Sequence, residues 1–487
     1  MIISELLKGV KYEGKVNNLN SEISNLTVNS VEVTDGSVFF AFKGTSRNGN
    51  DYILDALQNG ASLIISDTVS DIENVICVKN VRKVISKLAY KFYNPIKNGI
   101  KVIGVVGTNG KTSTTYILKA ILEKAGYSVG VIGTLGIYYG SVKIEPSLTT
   151  PDSLCLYKTI SEMANSSVNF VLMELSAHAI SQYRANDIKF ESLIFTNCTQ
   201  DHLDYFKEFN EYKKVKLSVF TSKNSKCAIV NADDDAGREI IFSDKIPTLT
   251  YGINEPSDVF AIDLKFSPNN SEYLVNAFDD IGVINTKLLG EFNVYNVLAC
   301  VTCAGILGVS LNTSVLAINE ISAIKGRLEF VENYNGADIF IDYAHTPDGL
   351  EKLLKTAKAF CKNKLYVVFG CGGNRDKDKR FKMGKIAGEI ADFSIITSDN
   401  PRFEEPYSII RQIEKGIREK TLKYITIQNR YMATGYAISK LKKGDVLIIA
   451  GKGAEEYQDV MGVKLDYSDF NAVRDIIAKL DFGGELI

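Results

Sequence analysis

The stretch Gly104-Val-Val-Gly-Thr-Asn-Gly-Lys-Thr112 joins a strand-like run, Lys101–Val106, to a helix-like segment that starts near Lys111. Glycines let backbone N–H groups wrap a polyphosphate without Cβ clashes. The helix N-terminus adds partial positive charge. In such a loop, Lys111 reaches the β- and γ-phosphates of ATP and the Thr112 hydroxyl ligates Mg²⁺. The strict Walker spacing asks for glycine at position 105, where this chain has Val105, so the loop is a variant. The plain alternative is a glycine turn before a helix with a surface lysine. The strand–loop–helix context favours the phosphate site.

Further polar residues fall at strand ends, where open α/β sheets bind ligands. Glu174 closes the run Asn169–Glu174, and His202 follows Ser192–Thr196 after a short polar loop. A glutamate, a threonine hydroxyl and phosphate oxygens together suit Mg²⁺, a hard cation that keeps waters. The three histidines, His178, His202 and His345, all lie in motif-like loops. Each alone is as readily a packing histidine as a ligand. Tyr212, Lys216 and Phe220 recur at helical spacing on one apolar face. A lysine there either snorkels to water or is buried and neutral. A neutral amine can take up CO₂ as a carbamate (N6-carboxylysine), a ligand for a second Mg²⁺.

The elements that must carry these residues form three blocks. Residues 1–97 hold strand-like Ser37–Phe42 and Ala61–Ser66 around a helix-like Asp51–Asn59 that Gly60 should cap. An Asn-Pro and an Asn-Gly pair near residue 97 mark a loop. Residues 98–326 alternate strands with helices, adding Cys227–Asn231 to the runs above, which predicts a parallel sheet. In the first helix, Ile117 with Ile121 and Leu118 with Leu122 repeat at helical spacing until Gly126. Residues 327–487 repeat the pattern in Asp338–Asp342, Lys364–Phe369, Asp392–Thr397 and Asp445–Ala450, a second, smaller Rossmann-like sheet. The expected fold is therefore α/β in three domains.

With 487 residues, 45% hydrophobic and a net charge of −2, the chain offers no electrostatic case for nucleic acid or a membrane surface. No basic-then-apolar start suggests a signal peptide, and no apolar run reaches membrane-span length. A cytoplasmic monomer is expected. Cys300 and Cys303 form the one CxxC, with no second pair to complete a zinc site, and read as buried thiols.

The loop Gly107–Thr112, Glu174-Leu-Ser-Ala-His178, Phe195–Asp204, Gly290–Asn296 and Asp342–Pro347 resemble, in order, the motifs of the Mur ligases. Gly370–Arg380, Ser398–Arg402 and Gly451–Glu455 narrow the resemblance to the members that join UDP-N-acetylmuramoyl-L-alanyl-D-glutamate to a diamino acid, usually meso-diaminopimelate or L-lysine. The resemblance implies an ATP- and Mg²⁺-dependent amide-bond-forming ligase of peptidoglycan synthesis. It places Gly107, Thr108, Asn109, Gly110, Lys111, Thr112, Asn293, Arg327, Asp342 and His345 at ATP. Thr112, Glu174, His202 and carbamylated Lys216 would serve the metal, with Lys111, Glu174, His202 and Lys216 catalytic. Ser30, Thr149, Thr150, Ser176, Gln182 and Arg184 match positions that hold the UDP-muramoyl-dipeptide. Arg375, Asp399, Asn400, Arg402, Gly451 and Glu455 match the amino-acid site. Arg402 can pair bidentately with a distal carboxylate, which lysine lacks, so the loop favours diaminopimelate.

Three departures stand out. The family's Asp-Ser-Arg reads Asn29-Ser30-Val31, its Asp-Gly-His reads Asn48-Gly49-Asn50, and Ala454 replaces a histidine before Glu455. Competing readings are a ligase of the folylpolyglutamate synthase type, a phosphotransferase or motor NTPase using the same loop, and a non-catalytic binding module. The last leaves Lys111, Glu174, His202 and Lys216 without a purpose.

Overall fold

The computed structural model describes residues 1–44, 47–145 and 148–481. The chain is α/β throughout and divides into two compact units. The first comprises residues 1–104, 127–193 and 218–227, and the second residues 105–126, 194–217 and 228–487. These units cut across the three sequence blocks, because the chain leaves the first unit and returns to it twice.

In the first unit, Asn25–Thr27, Ser37–Ala41, Ala61–Ser66 and Val75–Cys77 form a parallel four-stranded sheet in that order. Phe39, Ala41, Ile64 and Val75 pack its core with Val33 and Ala56. The expected Asp51–Asn59 helix is two pieces: a 3-10 turn, Gly49–Tyr52, and an α-helix, Ile53–Gln58. Asn48 starts the turn early by accepting from the Asn50 N–H. Gly60 follows at φ +96°, as a helix-ending glycine should. The same unit holds the parallel pair Val129–Gly133 and Phe170–Leu175, with Gly136–Tyr139 and Val142–Ile144 added antiparallel.

In the second unit, Lys111–Lys124 forms the helix expected after the glycine loop, and Gly126 follows it at φ +89°. Helix Glu291–Ile306 lies against it, with the Cys300 thiol 3.2 Å from the Thr114 carbonyl. Cys300 and Cys303 are both fully buried in that helix. The helix Phe209–Leu217 buries Tyr212 and Lys216. It stops short of Phe220, so Phe220 is buried beyond the helix and does not continue its face.

The C-terminal sheet runs Glu329–Tyr334, Ala337–Asp342, Val446–Ala450, Leu365–Phe369, Phe393–Ile396 and Tyr424–Thr426. All neighbours but the first pair are parallel. Its inner strands are apolar on both faces, as helix-covered strands must be. Four predicted strands therefore stand: three are trimmed by a residue or two where a polar end residue leaves the ladder, and the expected Asp338–Asp342 instead begins one residue earlier, at Ala337. The loops at their carboxyl ends begin near Asp342, Gly370, Thr397 and Gly451, along one sheet edge.

Candidate functional site

The phosphate loop is built for close approach. A Cβ on Gly107 would overlap Thr196 Oγ1, and one on Gly110, at φ +85°, would lie 2.5 Å from Asn296 Oδ1. Asn197 pins the loop from both sides: its Oδ1 accepts from Asn109 N (2.9 Å) and its Nδ2 donates to Asn109 O (3.1 Å). Val105 is tolerated because it is a buried strand residue, not part of the turn. Lys111 Nζ donates to Gly107 O and Thr108 O, both at 2.9 Å, so its ammonium already sits over the loop. Arg327 donates to Thr112 Oγ1 (2.8 Å) and stacks 4.4 Å over the Tyr343 ring. Asn293 is buried behind the loop, donating to Leu289 O and accepting from Asn296, so Asn296 is the residue that meets Gly110.

Lys216 is fully buried against this loop. Its Nζ donates to Thr108 Oγ1 (2.6 Å) and lies 4.1 Å over the Tyr212 ring. Burial, reinforced by Lys111, pushes its pKa down to about 7. The snorkelling alternative fails, because the ammonium does not reach water.

His202 adopts a left-handed backbone, φ +57°, directly after buried Asp201. The Asp201 carboxylate lies 3.4 Å from His202 Nε2, 3.9 Å from His345 Nε2 and 3.8 Å from Lys379 Nζ. Burial alone would raise its pKa, but Lys379 and the two imidazoles hold it well below the usual carboxylate range. Burial and then Lys379 push His345 down to about 4. Asp342 accepts from the Leu328 and Ala344 N–H groups, each at 2.6 Å, which fixes the chain entering the C-terminal sheet.

In the first unit, Thr149, Thr150, Ser176, Gln182 and Arg184 gather around Glu174, and Ser30 does not join them. Its two carboxylate oxygens accept from the Thr134 N–H and Thr134 hydroxyl, both 2.9 Å. The same Thr134 hydroxyl lies 3.2 Å from the Thr149 hydroxyl, which can donate to it. Thr150 donates to Glu174 O (2.7 Å) and accepts from Ser176 N (3.1 Å). Arg184 donates to Thr150 O (2.6 Å) and Gln182 Oε1 (2.9 Å). Ser30 opens a 3-10 turn that Asn29 caps, beside a largely exposed Val31. Asn50 is held between Ser66 (2.9 Å) and Asp67 (2.7 Å).

The amino-acid residues form a third group on the C-terminal sheet edge. Asn400 donates to Glu455 (2.9 Å) and accepts from Lys452 Nζ (3.0 Å), a fully buried lysine that also reaches Glu455 (2.9 Å). Gly451, at φ +116°, brings its backbone against Asp399, where a Cβ would lie 2.7 Å from Oδ2. Burial opposes ionisation of Asp399, but Lys452 and Arg430 more than offset it and lower its pKa. Arg402, at φ +51°, is tied through its N–H to Asp459 O (3.0 Å) and through its guanidinium to Gly373 O (2.8 Å). Arg375 is exposed nearby, its side chain bordering Gly372 as Arg402 does.

Sequence reasoning missed Thr134, Asn197, Lys379, Arg430 and Lys452. Asn197, Lys379 and Lys452 lay inside singled-out motifs and could have been found. Thr134 and Arg430 carry no local signal.

Three family descriptions match in succession: "Mur ligase family, catalytic domain" over residues 22–110, "Mur ligase middle domain" over 105–304, and "Mur ligase, glutamate ligase domain" over 326–453. The chain is 39% identical to UDP-N-acetylmuramoyl-L-alanyl-D-glutamate–2,6-diaminopimelate ligase of Clostridium tetani, over 99% of this chain and 100% of that protein. A solved structure of an enzyme with that same name superposes with a TM-score of 0.71 at 28% identity, over 99% of each chain. MurF of Thermotoga maritima, solved in complex with ADP, shares the fold at a TM-score of 0.62 and 20% identity, over 95% of this chain and 99% of that one. Among the described residues, no helix is long and apolar enough to cross a membrane. The chain belongs to the Mur ligase family.

Proposed function

We propose that this chain joins 2,6-diaminopimelate to the D-glutamate of UDP-N-acetylmuramoyl-L-alanyl-D-glutamate, with ATP converted to ADP and phosphate. The observation that carries this reading is full-length similarity to ligases of that name, combined with a phosphate loop and an arginine-bearing amino-acid loop in one chain. The domains are residues 1–97 for the UDP moiety, 98–326 for activation and 327–487 for the amino acid. The enzyme works in the cytoplasm, where its nucleotide substrates are made.

Chemistry begins with the D-glutamate side-chain carboxylate, which does not itself react with an amine. The γ-phosphoryl group of ATP passes to that carboxylate and gives an acyl phosphate. Lys111 and the loop N–H groups stabilise the negative charge on the moving phosphoryl group. The Thr112 hydroxyl, the Glu174 carboxylate and the His202 imidazole are the side chains that would hold Mg²⁺, a hard cation that would supply charge neutralisation at the phosphates. Buried Lys216 fits a carbamate: a neutral amine adds CO₂ and releases a proton. Thr149, Thr150, Ser176, Gln182 and Arg184 orient the dipeptide. Arg402 pairs with the distal carboxylate of diaminopimelate, and Asp399 accepts from its ammonium. The free amine attacks the acyl carbon and phosphate leaves. No protein nucleophile is required.

The test is phosphate release by purified protein with ATP, Mg²⁺ and UDP-N-acetylmuramoyl-L-alanyl-D-glutamate, adding diaminopimelate, L-lysine or neither. Release with diaminopimelate and an amide product by mass spectrometry is the expected result. Release with lysine alone keeps the ligase and overturns the selectivity of Arg402. No release with either amino acid overturns the reading.

A further inference from the structure

Arg430 begins a helix, Arg430–Ser439, far in sequence from every residue assigned above, and is fully buried. Asp469 holds it in a two-point clamp: Nε to Oδ1 and Nη2 to Oδ2, both 2.8 Å. Nη2 also donates to Ala450 O (2.9 Å), the carbonyl just before Gly451. The remaining nitrogen, Nη1, has no hydrogen-bond partner. It points to Asp399 Oδ2, 4.0 Å away, which likewise has none. The other Asp399 oxygen is used, accepting from Asn400 N (2.7 Å). One guanidinium thus touches the backbone that lets Gly451 approach and faces an acceptor of the amino-acid loop that has no donor.

A buried carboxylate oxygen without a donor is costly unless a ligand completes it. An arginine just beyond hydrogen-bond range favours the ionised carboxylate without consuming its lone pair. We propose that Arg430 is a positioning residue of the amino-acid site: anchored by Asp469, it holds Asp399 Oδ2 oriented as the acceptor for the incoming amino acid's ammonium. This rests on the reading of Asp399 as a diaminopimelate contact. The simpler possibility is that Arg430 and Asp469 are only a core ion pair, and a core pair has no reason to affect one substrate selectively.

The experiment uses the full-length enzyme and steady-state phosphate release, with KM measured separately for diaminopimelate, ATP and the UDP-dipeptide. Arg430→Met should raise the diaminopimelate KM about tenfold or more, as expected when a group organising a charged contact is removed, and leave the other two KM values within about twofold. Arg430→Lys should recover part of the loss. In an Asp399→Asn background, Arg430→Met should add little, because the two act as one unit. If Arg430→Met does not fold by circular dichroism, Arg430→Lys carries the same KM comparison. A uniform fall in kcat with all three KM values unchanged, or additive effects in the double variant, overturns the proposal. Wild-type enzyme that turns over diaminopimelate alongside an unresponsive Arg430 variant rejects this inference alone. Wild-type enzyme inert toward diaminopimelate rejects the function as well.

Discussion

The phosphate loop and the Ser398–Arg402 loop both follow sheet strands, but they are shaped by opposite means. Around Gly107 and Gly110 the absence of side chains does the shaping, and the neighbours Thr196, Asn197 and Asn296 press on bare backbone. Around Asp399 and Asn400 the shaping comes from charged side chains, the buried Lys452 and Arg430 and the half-buried Glu455. The difference follows from the ligands. A polyphosphate is met by N–H groups and a helix N-terminus, which any sequence supplies once Cβ atoms are removed. An amino acid must be told from its analogues, and that takes fixed side-chain charges.

The comparison breaks first where space is tightest. Gly107→Ala drives a methyl into Thr196 and should lower kcat by about 100-fold or more, the scale of an ångström misplacement. Phosphate-release assays at saturating diaminopimelate check it. Lys216→Ala should cost about 10–100-fold, as loss of a ligand-supporting group does, with partial rescue by an added short carboxylate. Full activity in that variant would remove the carbamate. Lys216 also predicts a pH effect. Its folded pKa is about 7 against 10.5 unfolded. Between those values the unfolded chain binds the extra proton, so stability rises with pH, by up to about 1.4 kcal/mol per unit. In CO₂-free buffer, urea midpoints of Lys216→Met should lack that rise.

At the amino-acid loop the effects should be smaller and confined to one substrate. Arg402→Ala should lower kcat/KM for diaminopimelate about 30-fold, the worth of a charged hydrogen-bonded pair, and bring it near the value for lysine. Gly451→Ala, with its Cβ 2.7 Å from Asp399 and φ at +116°, should raise the diaminopimelate KM about tenfold and spare the ATP KM. Smallest of all, Val31→Arg puts a cation on an exposed site where the family carries one. It should lower the KM for the UDP-dipeptide about threefold at low salt, the scale of an exposed ion pair.

The same contrast explains what the sequence disclosed. The run Lys101–Val106, the glycines and the helix from Lys111 are contiguous, so period and turn chemistry reveal them together. The C-terminal strands were equally plain, being apolar runs bounded by polar ends. The burial of Lys216 was foreshadowed by its apolar neighbours, although the helix stops at Leu217. Arg430 was hidden because its partners, Asp469 and Ala450, are brought to it only by the sheet. Thr134 was hidden likewise, since a lone threonine after a strand says nothing of a glutamate 40 residues on. The 3-10 turn at Gly49–Tyr52 was missed because one Asn48 side chain decides it.

The central claim is that the phosphate loop activates and the C-terminal loop selects. Positional isotope exchange in ATP labelled with oxygen-18 at the β,γ-bridge tests it most directly, in the presence of the UDP-dipeptide and without any amino acid. Exchange in the wild type and in Arg402→Ala, slowed about 100-fold or more in Gly107→Ala, is the predicted result. Exchange that requires diaminopimelate, or that disappears in Arg402→Ala, would contradict the separation of the two regions.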